Sequence, residues 1–150
     1  MKRFMRKQTI LFATAFTLVL AIHGVAAAPG LPNPVLAFTG QEHVESGGKQ
    51  MIRYNYDVAN KDKYPDELFA PAPNLPPCGE NTKASRTWVD VYDQRGKKLN
   101  QLCGLTKSAD LGKISFTLDD NAVPPSWVYI ELTDRQTNAK YKSNLAETTN

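Results

Sequence analysis

Three observations predict an all-β chain folded as an antiparallel β-sandwich of about seven strands. Apolar residues recur at every second position in separate runs: Ile52, Tyr54, Tyr56 and Val58, then Ile114, Phe116 and Leu118, then Val128, Ile130 and Leu132. These runs are short, rich in β-branched and aromatic residues, and bounded by clusters of Gly, Pro, Asn and Asp. Beyond residue 27 no segment carries the 3.6-residue apolar period of a helix. A small barrel is the second architecture that fits this pattern.

Residues 1–27 stand apart from the rest. Lys2, Arg3, Arg6 and Lys7 precede an apolar run from Ile10 to Ile22, and Val25-Ala26-Ala27-Ala28 supplies small residues. That order is the organisation of an export signal cleaved after Ala27. The run falls short of the roughly 20 apolar residues that a spanning helix requires, so no stable membrane insertion is expected after cleavage. A periplasmic or secreted location follows. Residues 28–34 contain Pro29, Pro32 and Pro34 and read as an extended tether, residues 35–145 as the sandwich, and residues 146–150 as a flexible tail.

Within the sandwich, Val35 to Thr39 is expected to form a first strand, and the polar stretch Gly40 to Lys49 a loop turning at Gly47-Gly48. Ile52 to Val58 gives the clearest alternation, set against Arg53, Asn55 and Asp57. Asn60 to Tyr64 is a charged loop. Phe69 to Pro77, with Pro71, Pro73, Pro76 and Pro77, excludes helix and central strand. Thr87 to Asp93 and Leu99 to Cys103 flank Gln94-Arg95-Gly96-Lys97, a hairpin that places Gly96 where positive φ is needed. Lys113 to Leu118 and Trp127 to Thr133 are half-buried strands separated by turn signals at Asp119-Asp120-Asn121 and Pro124-Pro125. A short last strand covers Ala139 to Ser143.

Charge narrows the partners. Four of the 18 basic residues and none of the 15 acidic ones lie in residues 1–27, leaving 14 against 15 and a net charge of −1. The basic character belongs to the precursor, so nucleic acid loses its electrostatic support. The two cysteines of an exported chain, Cys78 and Cys103, are expected to form a disulfide. They are not spaced as a CxxC redox pair.

Chemistry is sparsely represented. His43 is the one histidine beyond residue 27, lying in a polar stretch without a nucleophile motif around it. With the cysteines oxidised, no soft metal-ligand set remains, and no cofactor is implied. Asp119, Asp120 and Asn121 are oxygen donors in one turn, an arrangement ordinary for turns. Asp90 and Glu131 are the carboxylate pair a glycosidase would need, set against solvated strand faces paired with Arg53, Arg86 or Arg135. Trp127 and Tyr129 share a strand face with Glu131 and Thr133, opposite the apolar set. If that face is open they form, with Trp88, a contact surface for sugar or protein; burial is the commoner fate of aromatics in a central strand.

Leu75-Pro76-Pro77-Cys78-Gly79 with Ser85 to Tyr92, and Val128 to Arg135 with Tyr141 to Asn144, resemble a segment of uncharacterised exported bacterial proteins. The resemblance covers the C-terminal half and implies class and compartment only. The strand pattern is also similar to immunoglobulin-like and fibronectin type III sandwiches, without the core cysteine pair of antibody domains that joins the two sheets. Immunoglobulin-like cysteine-protease inhibitors are similar in size and compartment, but their glycine-rich and Arg-Pro-Trp loop motifs are not found.

The sequence therefore reads as an exported, non-catalytic binding or structural module whose partner is a protein or a carbohydrate. The candidate contact residues are Phe69, Pro71, Pro73 and Leu75 in the proline-rich loop, and Trp127 and Tyr129 on their strand. The alternatives are a protease inhibitor, presenting Phe69 to Cys78 or Asp119 to Pro125 as a wedge, and a carboxylate-based hydrolase.

Overall fold

Alternate apolar residues on paired strands build the core. The computed structural model describes residues 30–76, 78 and 84–148, so the expected export signal over residues 1–27 lies outside the described residues. Eight strands are present: β1 (Leu36–Ser46), β2 (Lys49–Val58), β3 (Thr87–Asp93), β4 (Lys98–Leu102), β5 (Ile114–Asp119), β6 (Trp127–Asp134), β7 (Lys140–Lys142) and β8 (Ala146–Glu147). One sheet runs β1-β2-β5; the other runs β4-β3-β6-β7, with β8 also paired to β6. Every pairing is antiparallel. With strands lettered in chain order, this is the immunoglobulin-like arrangement with its fourth strand moved from the edge of the first sheet to the edge of the second. The chain is an all-β sandwich.

The inner faces supply Tyr54, Tyr56 and Val58 from β2, Ile114 and Phe116 from β5, Val89 and Val91 from β3, and Val128, Ile130 and Leu132 from β6. Each is at most 2% exposed. Phe116 stacks on both Tyr54 (5.1 Å) and Tyr56 (6.0 Å), and Phe38 meets Tyr56 edge-on at 5.4 Å. Full burial of such a side chain is worth about 1.5–3 kcal/mol relative to leaving it exposed. The Tyr56 hydroxyl reaches the Thr148 hydroxyl at 3.1 Å, and burial pushes its phenol up to about 12.

Asparagine side chains stitch the two lateral seams between the sheets. On one side Asn100 of β4 donates to the Ser115 carbonyl of β5 at 2.6 Å. On the other, Asn144 accepts from the Leu36 N–H (2.8 Å) and donates to the Leu36 carbonyl (3.0 Å), taking the place of a strand neighbour for β1. These bonds occupy backbone groups that edge strands would otherwise leave without partners.

Several expectations need correction. β1 does not stop at Thr39 but runs through the polar stretch to Ser46, bulging at Gly40 (φ 142°). Its residues beyond Gly40 are nearly all exposed, and an edge strand open on both faces needs no apolar alternation. Gly47 and Gly48, both at positive φ, close the two-residue hairpin loop to β2. A short 3-10 helix, Lys61–Lys63, occupies part of the expected charged loop, and two more cover Asp66–Phe69 and Ser108–Lys113. The described part of the tether, residues 30–34, is docked: Leu31 packs on the core and the Pro32 carbonyl accepts the Tyr64 hydroxyl at 2.6 Å. Residues 146–148 of the expected flexible tail are built in, with Ala146 5% exposed and Thr148 fully buried.

The disulfide joins Cys78 to Cys103 (Cα–Cα 6.2 Å) and packs with Ala84 and Trp88 as a satellite of the main core. It ties the chain ahead of β3 to the end of β4, two neighbours in one sheet, and does not cross between sheets. Replacing both cysteines by serine is expected to cost about 3–4 kcal/mol, read as a shift of the urea midpoint. Truncation after Leu145 is expected to lower that midpoint too, at a cost of about 2 kcal/mol or more in stability, through lost burial and the lost Tyr56–Thr148 bond. An unchanged midpoint would mean that the tail is free.

Candidate binding face

Because Val89, Val91, Val128, Ile130 and Leu132 point inward, the alternate residues of β3 and β6 must point outward. The outer face of the five-stranded sheet therefore carries Trp88, Asp90 and Tyr92 from β3, and Trp127, Tyr129 and Glu131 from β6. No described element covers its Trp127 end: Trp127 is 42% exposed, and Tyr129, Tyr92 and Trp88 are half-buried. The expectation that aromatics on a central strand are covered does not hold here.

The tyrosines do not lie flat. Tyr92 and Tyr129, paired across β3 and β6, stack on each other at 5.2 Å and 19°. Lys98 of β4 sits over the Tyr92 ring (5.7 Å) and Lys142 of β7 over the Tyr129 ring (4.0 Å). Four strands thus contribute one residue each to a row of cation, ring, ring and cation, held by quadrupole attraction. The ring faces are taken by each other and by the lysines.

Asp90 and Glu131 are direct cross-strand partners, a like-charge pairing that is destabilising by itself. Lysines from the flanking strands offset it. Asp90 accepts from Gln101 (2.7 Å), is approached by Lys98 Nζ (3.0 Å) and meets the Tyr92 hydroxyl at 3.3 Å; Glu131 accepts from Lys140 (2.7 Å). The partners are lysines of the same sheet rather than Arg53, Arg86 or Arg135. Arg86 is instead engaged with Asp134, and Arg135 lies over the Trp88 ring at 4.6 Å.

The proline-rich loop lies at the opposite end of the sheet from Trp127, and its residues part company. Phe69 is fully buried, which removes its side chain from the candidate contact surface and makes it an anchor of the loop. Pro71 and Pro73 are exposed and Leu75 is half-buried. The Leu75 N–H bonds the Ala72 carbonyl (3.0 Å), so Pro73-Asn74 is the corner of a turn. Ala72 N–H bonds the Ala84 carbonyl, and Arg86 N–H the Ala70 carbonyl. Beside the turn opens a cleft of about 360 Å³, lined by Pro71, Pro73, Leu75, Glu67, Arg86 and Gln136 among others. Pro76 is exposed, and Pro77 lies outside the described residues.

At the base of that cleft Arg86 grips Asp134 side-on, Nε to Oδ1 at 2.8 Å and Nη2 to Oδ2 at 2.6 Å. Asp134 also accepts from the Gln136 N–H and the Thr137 hydroxyl. The guanidinium, with these further donors, holds the Asp134 carboxyl well below the usual carboxylate range. His43 stands exposed on edge strand β1. Among the described residues no group of three or more His, Cys, Asp or Glu is placed to hold a metal ion, and no helix is long and apolar enough to cross a membrane.

The residues of this face legible in advance were Trp127, Tyr129 and Trp88. Tyr92 carries the same signal, outward alternation on β3. Lys98 and Lys142 carry none, since only strand register brings them over the rings. These features define an immunoglobulin-like sandwich with one open aromatic face. No protein-family model, curated protein or solved structure matches the chain.

A depressed folded-state carboxyl stabilises the fold above the unfolded value of about 4 and loses that contribution as pH falls below it. Asp134→Asn is therefore expected to cost about 2–3 kcal/mol at pH 7. Variant and parent should converge in stability as the pH falls below about 4, measured by urea titration across the pH range. A constant difference at every pH would remove the ion pair as the cause.

Proposed function

We infer that the chain is an exported, non-catalytic module that binds a protein partner through the outer face of its five-stranded sheet. The observation that carries this reading is the exposure of Trp127 beside the stacked Tyr92–Tyr129 pair. Aromatics ringed by charged side chains are the composition of a protein contact, with tyrosine and tryptophan as anchors and a polar rim. The loop entering β6 adds Val123, 92% exposed, at the same end. Protein is favoured over carbohydrate on this face because the tyrosine ring faces are occupied by each other and by lysines. A sugar stacks on a free ring face.

Export supports the same reading, through the signal-like residues 1–27 and the disulfide. Both carboxylates that a hydrolase would use are engaged by lysines, which favours a structural role for them.

Site-specific photocrosslinking in exporting cells tests the proposal. A crosslinker at Trp127 is expected to give discrete adducts that disappear on Tyr129→Ala, while one at Gln41, on the other sheet, gives none. Equal labelling from both positions, or none from 127, would overturn it.

A further inference from the structure

The cleft beside the proline turn is a second site, separate from the aromatic face, and its chemistry is specific. Arg86 spends its Nε and one Nη2 hydrogen on Asp134. A guanidinium has five N–H donors, and among the described residues none of the other three has an acceptor in reach. In a side-on grip, those left over form the end-on fork of Nη1 and Nη2. Asp134 already cancels the arginine's charge, and Glu67 adds a carboxylate to the same lining. The cleft is thus rich in donors yet carries no surplus of positive charge, which disfavours an anion.

Most backbone N–H groups around it are spent. The N–H groups of Ala72, Leu75 and Arg86 are bonded within the loop, and that of Gln136 to Asp134. A peptide would find no strand edge to pair with. What remains is side-chain chemistry of both senses: the Arg86 fork donates, Glu67 accepts, and the Gln136 amide does both. Pro71, Pro73 and Leu75 add apolar surface to the same lining. Hydroxyl groups both donate and accept, and a pyranose adds an apolar C–H face. At about 360 Å³ the cleft falls within the range of small-molecule sites.

We propose that this cleft binds a small neutral saccharide, its hydroxyls held by Arg86, Gln136 and Glu67 and its C–H face laid on Pro71, Pro73 and Leu75. The full exported chain is titrated with glucose, galactose, N-acetylglucosamine and their disaccharides, reading NMR shifts of the Arg86 Nε–H and the Gln136 side-chain amide. Saturable shifts with at least one neutral sugar are expected at millimolar concentration. Gln136→Ala and Glu67→Ala, both at exposed positions, should each weaken binding about fivefold. Trp127→Ala should leave it unchanged, which separates this site from the protein-binding face. No shift with any sugar up to about 50 mM, an affinity below about 2 kcal/mol, would overturn the proposal. So would tighter binding of galacturonate than of galactose, or binding by the Gln136 and Glu67 variants as tight as the parent's. Shifts produced by a neutral proline-rich peptide but by no sugar would assign the cleft to peptide instead.

Discussion

Burial of Val128, Ile130 and Leu132 along β6 is the constraint from which the rest of the structure follows. A strand has a side-chain period of two, so placing these three residues in the core leaves Trp127, Tyr129 and Glu131 no alternative but the outer face. A slip of one residue would bury a carboxylate and expose three aliphatic groups. β3 obeys the same rule through Val89 and Val91, and the two strands are locked over seven residue pairs from Thr87–Asp134 to Asp93–Val128. The Tyr92–Tyr129 stack and the Asp90–Glu131 juxtaposition are consequences of that register. The flanking strands then supply lysines where the register creates like-charge proximity and open ring faces.

The two ends of this sheet differ in kind. At the disulfide end the outer face is partly closed, with Trp88 packed on Cys78, Ala84 and Cys103, its indole N–H bonded to the Ser85 carbonyl and Arg135 lying over its ring. At the other end Trp127 stands open. One aromatic face is therefore packed at one end and open at the other. The proline turn, anchored through buried Phe69 and the bonds of Ala72 and Arg86, borders its cleft as a fixed wall, which lowers the ordering cost of binding there.

What was legible in the sequence follows physical rules of different reach. Alternation revealed β5 and β6 within a residue and β2 within three, since those strands are buried on one face and solvated on the other. Gly96 and Gly47-Gly48 revealed their turns because only glycine adopts positive φ freely. β1 beyond Gly40 was hidden, because an exposed edge strand has no apolar face to display. Residues 146–148 were hidden for the opposite reason: two residues of strand and one buried threonine are too short to show any period. Within the site, Trp127 and Tyr129 came from local alternation. The Tyr92–Tyr129 stack and the Arg86–Asp134 grip join distant segments, while the Asp90–Lys98 and Glu131–Lys140 pairs cross between consecutive strands and depend on their exact register, which no local pattern encodes.

The openness of the outer sheet face at Trp127 is the claim on which the functional reading rests. Iodide quenching of tryptophan fluorescence in a Trp88→Phe variant isolates Trp127 and measures that openness directly. Strong quenching, approaching that of the urea-unfolded chain, is expected. Protection comparable to that of a core residue would mean that the face is covered, and would contradict the account.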